Sequence, residues 1–235
     1  MKKLAVFVEG LTEQLFVDKF ITEIAGGHAI AIERRKFRGG SRSGPRLMTI
    51  SASAPTPDHK YYILIVDCTS DTRVKSEIRD QYESLVSSGY SAIIGIRDVY
   101  PEFTHPDIPR LRRMLDYRMK TNPIRVAFIL GIMEVETWFV SEHTHLVRMD
   151  PRLTPGYISN ALGFDPSIDD MQLRPHPAAD LDHIYSLVGR RYKKVRANLQ
   201  HTVDLLDCAH LYLEVLDRIP DLKALAKSID AFLAS

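Results

Sequence analysis

An α/β fold, with a mostly parallel sheet flanked by helices and a helical C-terminal part, is what this sequence predicts, on three observations. Apolar runs at residues 4–8, 61–66, 92–96 and 124–132 are of the continuous kind found in strands buried on both faces. Segments with helical apolar spacing separate them, and strands alternating with helices imply parallel pairing with helices on the sheet faces. Beyond Ser141 the strand-like runs cease, and a stretch broken by Pro151, Pro155, Pro166, Pro175 and Pro177 gives way to helical segments. The expected organisation is an α/β domain over residues 1–142 and a helical subdomain over residues 143–235.

The first strand, LAVFV, meets Glu9 and Gly10 and turns at once into a helix with the stripe Phe16, Val17, Phe20, Ile21 and Ile24, closed by Gly26-Gly27. Residues 28–32 read as a short second strand. It runs into ERRKFRGGSRSGPR, expected to be a basic glycine-rich loop carrying Arg34, Arg35, Lys36, Arg38, Arg42 and Arg46. The loop is not a phosphate loop of the Walker type: Gly39 and Gly44 have the separation, but Pro45 and Arg46 stand where Lys and Ser/Thr are needed. YYILIV ends in Asp67, and residues 71–85 place Val74, Ile78, Tyr82 and Leu85 at helical spacing before Gly89. The strand at 92–96 leads to Arg97-Asp98. Residues 109–120 are expected as a basic helix, and 124–132 as a strand running straight into MEVETWF. If a helix begins near Glu134, then Glu134 and Glu136 point in different directions; if the chain is extended there, they share a side. Helices are expected over residues 179–189, 195–218 and 222–233.

The 31 Lys and Arg nearly balance the 30 Asp and Glu, for a formal net charge of +1, so contact with a polyanion must come from local patches. Two are candidates for a phosphate backbone: the loop with Arg35, Arg38 and Arg42, and the run Arg190, Arg191, Lys193 and Lys194. Tyr192 inside that run is of a type that stacks a base. A solvated charge run is the plain alternative for both. Cys68 and Cys208 form no CxxC, which argues against a zinc module or a disulfide framework and fits a reducing cytoplasm. The apolar run of MKKLAVFVEG is short and meets a Glu before any small-residue cleavage site, and no stretch has transmembrane length. No membrane partner is expected. There is no GxSxG elbow, and His143 and His145 lack the spacing of a known zinc motif and are expected as surface residues.

The chemistry is concentrated at strand ends. Glu9 closes a strand at the carboxyl edge of the sheet, where open α/β folds place their ligands. Glu13 lies in the first helical turn, a position the helix dipole also favours for no further reason. Asp67, Asp98 and the Glu134/Glu136 pair follow later strands. Carboxylates brought together repel and tend to protonate, and a hard divalent cation such as Mg²⁺ or Mn²⁺ resolves the conflict. Two such ions about 4 Å apart stabilise the attacking and leaving oxygens of phosphodiester cleavage.

VEGLTE, RDVYP and MEVETWF, in this order, resemble the motifs of TOPRIM-like families related to the OLD (overcoming lysogenization defect) nucleases and to RloB-like defence proteins encoded near bacterial ATPases. The resemblance covers roughly residues 3–142. It implies a TOPRIM-like sheet in which Glu9, Glu13, Asp98, Glu134 and Glu136 hold metal, with Glu9, Asp98 and Glu136 catalytic. It also implies action on DNA or RNA in phage defence. The family's second motif is commonly Asp-x-Asp, whereas here Tyr100 follows Asp98; the rival placement at Asp67 has Thr69 in the second position. The expected function is therefore a Mg²⁺- or Mn²⁺-dependent nuclease. The alternative is a non-catalytic binding subunit that partners a separately encoded ATPase.

Overall fold

The computed structural model describes residues 1–38 and 46–234. Arg42 lies outside the described residues. Within them the chain is α/β, with a six-stranded, mostly parallel sheet. The strands are β1 (Lys2–Val8), β2 (Ile30–Arg38), β3 (Arg46–Ala52), β4 (Tyr61–Asp67), β5 (Ala92–Asp98) and β6 (Arg125–Gly131), in the spatial order β3-β2-β4-β1-β5-β6. β1 pairs in parallel with β4 and β5, β2 pairs in parallel with β4, and β3 is antiparallel to β2.

The chain divides into two compact units, one of residues 1–97, 112–129 and 225–235, the other of residues 98–111 and 130–224. In the first unit, side chains alternate across the strands. Ala5 and Phe7 of β1, Leu64 and Val66 of β4 and Ile93 of β5 form a buried cluster with Val74, Ile78, Tyr82 and Leu85 of α2 (Asp71–Ser87). Leu4, Val6, Val8, Ile63 and Ile65 are equally buried and by alternation face the other way. α1 (Leu11–Ala25) packs against β1, β2 and β4. A sheet covered on both faces is why these strands read as unbroken apolar runs.

β2 differs from expectation. Arg34, Arg35 and Lys36 belong to this strand and not to a loop, because each cation has an acid to meet: Arg34 pairs with Asp18 at 2.7 Å, Arg35 with Glu33 at 2.7 Å and Lys36 with Asp67 at 2.7 Å. Arg38 ends the strand exposed. β3 follows as an edge strand with scarcely a buried residue.

The second unit is helical: α4 (Glu136–Ser141), α5 (Thr144–Met149), α6 (Pro155–Leu162), α7 (Pro177–Ser186), α8 (Arg196–Leu205) and α9 (Cys208–Leu213). Two expected helices are corrected. The basic helix is α3 (Ile108–Asp116), shorter than 109–120, and Arg118 adopts a left-handed φ of 56° beyond its end. The span 195–218 is broken at Leu206-Asp207. There the Asp207 carboxylate caps α9 by accepting from the His210 amide at 2.9 Å, and the Asp207 amide donates to Glu142 Oε2 at 3.1 Å. The last helix, α10, runs Pro220–Ala234. No helix among the described residues is long and apolar enough to cross a membrane.

Candidate functional site

β5 and β6 are neighbours, and the chain leaves both at one place in the second unit. The Val99 amide donates to Gly131 O at 3.1 Å and the Tyr100 amide to Met133 O at 2.7 Å, so pairing continues past the strand ends. The turn after Gly131 is tight. Met133 sits at φ 59°, a left-handed conformation that costs a β-carbon-bearing residue of order 1 kcal/mol. That turn aims the Val135 amide at Asp98, whose Oδ1 accepts from it at 2.8 Å. Gly131 makes the approach possible: a β-carbon there would stand 2.3 Å from Asp98 Oδ1 and 2.8 Å from the Val135 nitrogen.

Glu134 and Glu136 both turn toward Lys194. Its ammonium lies 3.0 Å from Glu136 Oε1 and 3.5 Å from Glu134 Oε1. The question of one facing glutamate or two is thus answered by the irregular chain before α4, which is neither helix nor strand at Glu134. Glu134 Oε2 accepts from the Ala178 amide at the start of α7 at 2.9 Å, and Glu136 Oε1 accepts from the Tyr192 hydroxyl at 2.7 Å. Asp98, Glu134 and Glu136 are buried, at 3%, 9% and 0% exposure. Burial pulls the Lys194 ammonium down, but Glu136, Glu134 and Asp98 outweigh it and hold the lysine above its ordinary range. Glu136 Oε2 is buried with no hydrogen-bond partner among the described residues.

Three carboxylates of hard-donor type fit Mg²⁺ or Mn²⁺ in chemistry, and one buried Glu136 oxygen is unmatched among the described residues. Asp98 Oδ1, both Glu134 oxygens and Glu136 Oε1 are turned to protein donors, and no group of three or more His, Cys, Asp or Glu among the described residues is arranged to hold a metal ion.

The acids of the first unit are placed differently. Asp67, wholly buried, accepts on Oδ2 from Lys36 at 2.7 Å and on Oδ1 from the Thr69 amide at 2.8 Å, so the rival second-motif acid is bound up in a local pair. Glu13 is buried and its Oε2 accepts from the Gly10 amide at 2.8 Å, closing the first turn of α1. Glu9 is half-buried at the end of β1. The structure brings Asp98, Glu134 and Glu136 together, while Glu9 and Glu13 belong to the first unit.

Of the basic candidates, Arg35 is half-buried on Glu33, Arg191 is tied to Asp182, and Arg190 and Lys193 are exposed. Tyr192 is not available to stack a base, because it is buried edge-on to Tyr185 at 6.2 Å with its hydroxyl on Glu136. His145 is a second correction: it is fully buried, with Nδ1 2.6 Å from Glu142 O, and Nε2 has no hydrogen-bond partner among the described residues. The sequence places Lys194 among the candidate phosphate-backbone contacts and gives Tyr192 and Gly131 no part in the acid site. No periodicity links residues 192–194 to 134–136; only the tertiary fold does. No family model matches the chain, and no curated protein or solved structure matches it either.

Proposed function

We propose that the chain is a divalent-metal-dependent phosphodiesterase that cleaves nucleic acid, with Asp98, Glu134 and Glu136 as cation ligands. The observation that carries this reading is Glu136 Oε2, a buried carboxylate oxygen without a hydrogen-bond partner among the described residues, on a side chain that shares one lysine with a second acid. An unmatched buried polar atom costs about 1–3 kcal/mol, more when charged, so its retention calls for a ligand. Mg²⁺ or Mn²⁺, when bound, would supply Lewis acidity toward a phosphoryl oxygen. The chain's own residues fix the rest. The Val135 amide holds Asp98, the Tyr192 hydroxyl holds Glu136, and Lys194, held charged by its acidic neighbours, offsets their mutual repulsion. The resemblance of VEGLTE, RDVYP and MEVETWF to TOPRIM-like nucleases supports the same reading, names Glu9 and Glu13 as further acids, and suggests a phage-defence setting.

A second reading, a non-catalytic binding subunit that partners an ATPase, is favoured by the engagement of most of the cluster's oxygens with Lys194, Tyr192 and backbone amides, and by Tyr100 in place of a second aspartate. Calorimetric titration of Mg²⁺ and Mn²⁺ into wild type, Glu136→Gln and Asp98→Asn, with plasmid and single-stranded DNA and RNA as substrates, tests both. Tight binding and cleavage by wild type alone is expected. Equal binding in all three proteins removes the cation site, and binding without cleavage of any substrate leaves the subunit reading.

A further inference from the structure

A cleft of about 200 Å³ opens in the second unit between the end of α7, the link that follows it, and α8. Its inner wall is the buried Tyr185, whose hydroxyl donates to Thr202 Oγ1 at 3.2 Å. Its rim is Arg190, Arg191, Asn198 and His201, all exposed.

The rim side chains are not equally committed. The Arg191 guanidinium donates twice to Asp182, at 2.8 and 2.5 Å, so its charge is largely offset. The Arg190 guanidinium, the Asn198 amide and the His201 imidazole have no hydrogen-bond or ion-pair partner among the described residues. Asp150, which feels the charge of Arg190, is already bonded to Arg152 at 2.9 and 3.0 Å.

A guanidinium fork, an amide and an imidazole around one small opening are the donor set for an oxyanion, and the planar fork matches two phosphate oxygens at once. The volume is below the roughly 300–1,000 Å³ of sites for drug-sized ligands, which suits a phosphate group with little attached. The cleft is also one aromatic ring away from the acid cluster. Tyr185 packs edge-on against Tyr192 at 6.2 Å, and the Tyr192 hydroxyl donates to Glu136 Oε1 at 2.7 Å.

We propose that this cleft is a phosphomonoester subsite, with Arg190 its principal anchor, and that it takes the terminal phosphate of a nucleic-acid strand. Only the identity of the strand rests on the nuclease reading.

The test is fluorescence-anisotropy binding of short labelled single strands ending in a 5′-phosphate, a 3′-phosphate or hydroxyls only, to the full chain in EDTA, with inorganic phosphate as competitor. One phosphorylated end should bind about tenfold more tightly than the hydroxyl ends, as a charge-assisted contact of 1.5–3 kcal/mol implies. Inorganic phosphate should erase the difference. Arg190→Ala should lose the preference while keeping the wild-type melting temperature, since the Arg190 side chain is exposed; His201→Ala gives a second reading of the same rim. Equal binding of all three strands by wild type, or a preference that survives both substitutions, overturns the proposal. Glu136→Gln should retain the preference. Failure of the cleft thus leaves the cleavage reading standing, and failure of cleavage leaves the cleft standing.

Discussion

Asp67 and Glu33 of the first unit each have a cation of their own, whereas Glu134 and Glu136 of the second unit share one. Asp67 has Lys36 and the Thr69 amide; Glu33 has Arg35 at 2.7 Å, Thr49 at 3.0 Å and the Tyr62 hydroxyl. Glu33 is held below the usual carboxylate range because these bonds outweigh the opposing effect of burial. Glu134 and Glu136 instead divide one ammonium between them, with Asp98 near enough to reinforce its charge, and one Glu136 oxygen has no hydrogen-bond partner among the described residues. Asp67 and the second-unit acids begin from the same sequence feature, a strand running out into an acid. A carboxylate with its own cation is finished as structure, while acids that share one keep a capacity to bind something else.

Removing an acid from each unit should break or sharpen that contrast. Asp67→Ala leaves Lys36 facing a buried gap. Because Lys36 is itself 34% exposed and can turn to water, the cost should sit near the low end for a broken buried pair, about 3 kcal/mol by urea denaturation, with cation binding unchanged. Glu136→Gln keeps an acceptor for Tyr192 and removes a buried charge, so stability should stay within about 1 kcal/mol of wild type while cation binding is lost. A harmless Asp67→Ala, or a Glu136→Gln as costly as Asp67→Ala, would erase the distinction.

Two glycines repeat the comparison with smaller effects. In β5, a β-carbon on Gly95 would meet Ile78 Cδ1 and Phe128 Cδ1 at 2.8 Å; at Gly131 it would meet Asp98 Oδ1 at 2.3 Å. Both Gly→Ala changes overpack and should cost about 1–3 kcal/mol. Only Gly131→Ala should also weaken Mg²⁺ or Mn²⁺ binding, because it displaces Asp98, a ligand in the proposed site. Calorimetry on the two variants at matched stability separates the outcomes, and equal affinities would detach Asp98 from the cation site.

What the sequence disclosed follows the same line. Strands buried on both faces announce themselves as unbroken apolar runs, so β1, β4, β5 and β6 and the acids at or just past their ends were legible. β3, RLMTISA, was not, since an exposed edge strand buries neither face and carries no alternation to detect. Arg34, Arg35 and Lys36 looked like loop residues because their partners Asp18, Glu33 and Asp67 include acids far away in sequence. The acid cluster was half legible: Asp98, Glu134 and Glu136 could be named, but Lys194 sits 58 residues beyond Glu136, within a run that reads as surface charge. The interruption at Asp207 was equally hidden, as it depends on Glu142 receiving the Asp207 amide.

Glu142 and Asp18 give the finest version of the comparison, in the sign of their pH dependence. Glu142 is fully buried in the second unit. Burial would raise its pKa, but bonds from His145, Thr144 and the Asp207 amide prevail and lower it from the ordinary 4.5. As pH falls below about 4.5, the unfolded chain takes up this proton first, and the stability that Glu142 contributes is lost as pH passes through the lower folded value. Asp18 in the first unit goes the other way: burial outweighs the bond and charge of Arg34 and raises it above 3.8. Between 3.8 and that raised value the folded chain holds a proton the unfolded chain has released, so stability falls as pH rises. Urea denaturation between about pH 3 and 6 of wild type, Glu142→Gln and Asp18→Asn reads the two contributions by difference. The wild-type advantage over Glu142→Gln should grow with pH, and that over Asp18→Asn should shrink. Slopes of the same sign would mean that one of the two carboxylates has its balance of burial and bonding reversed.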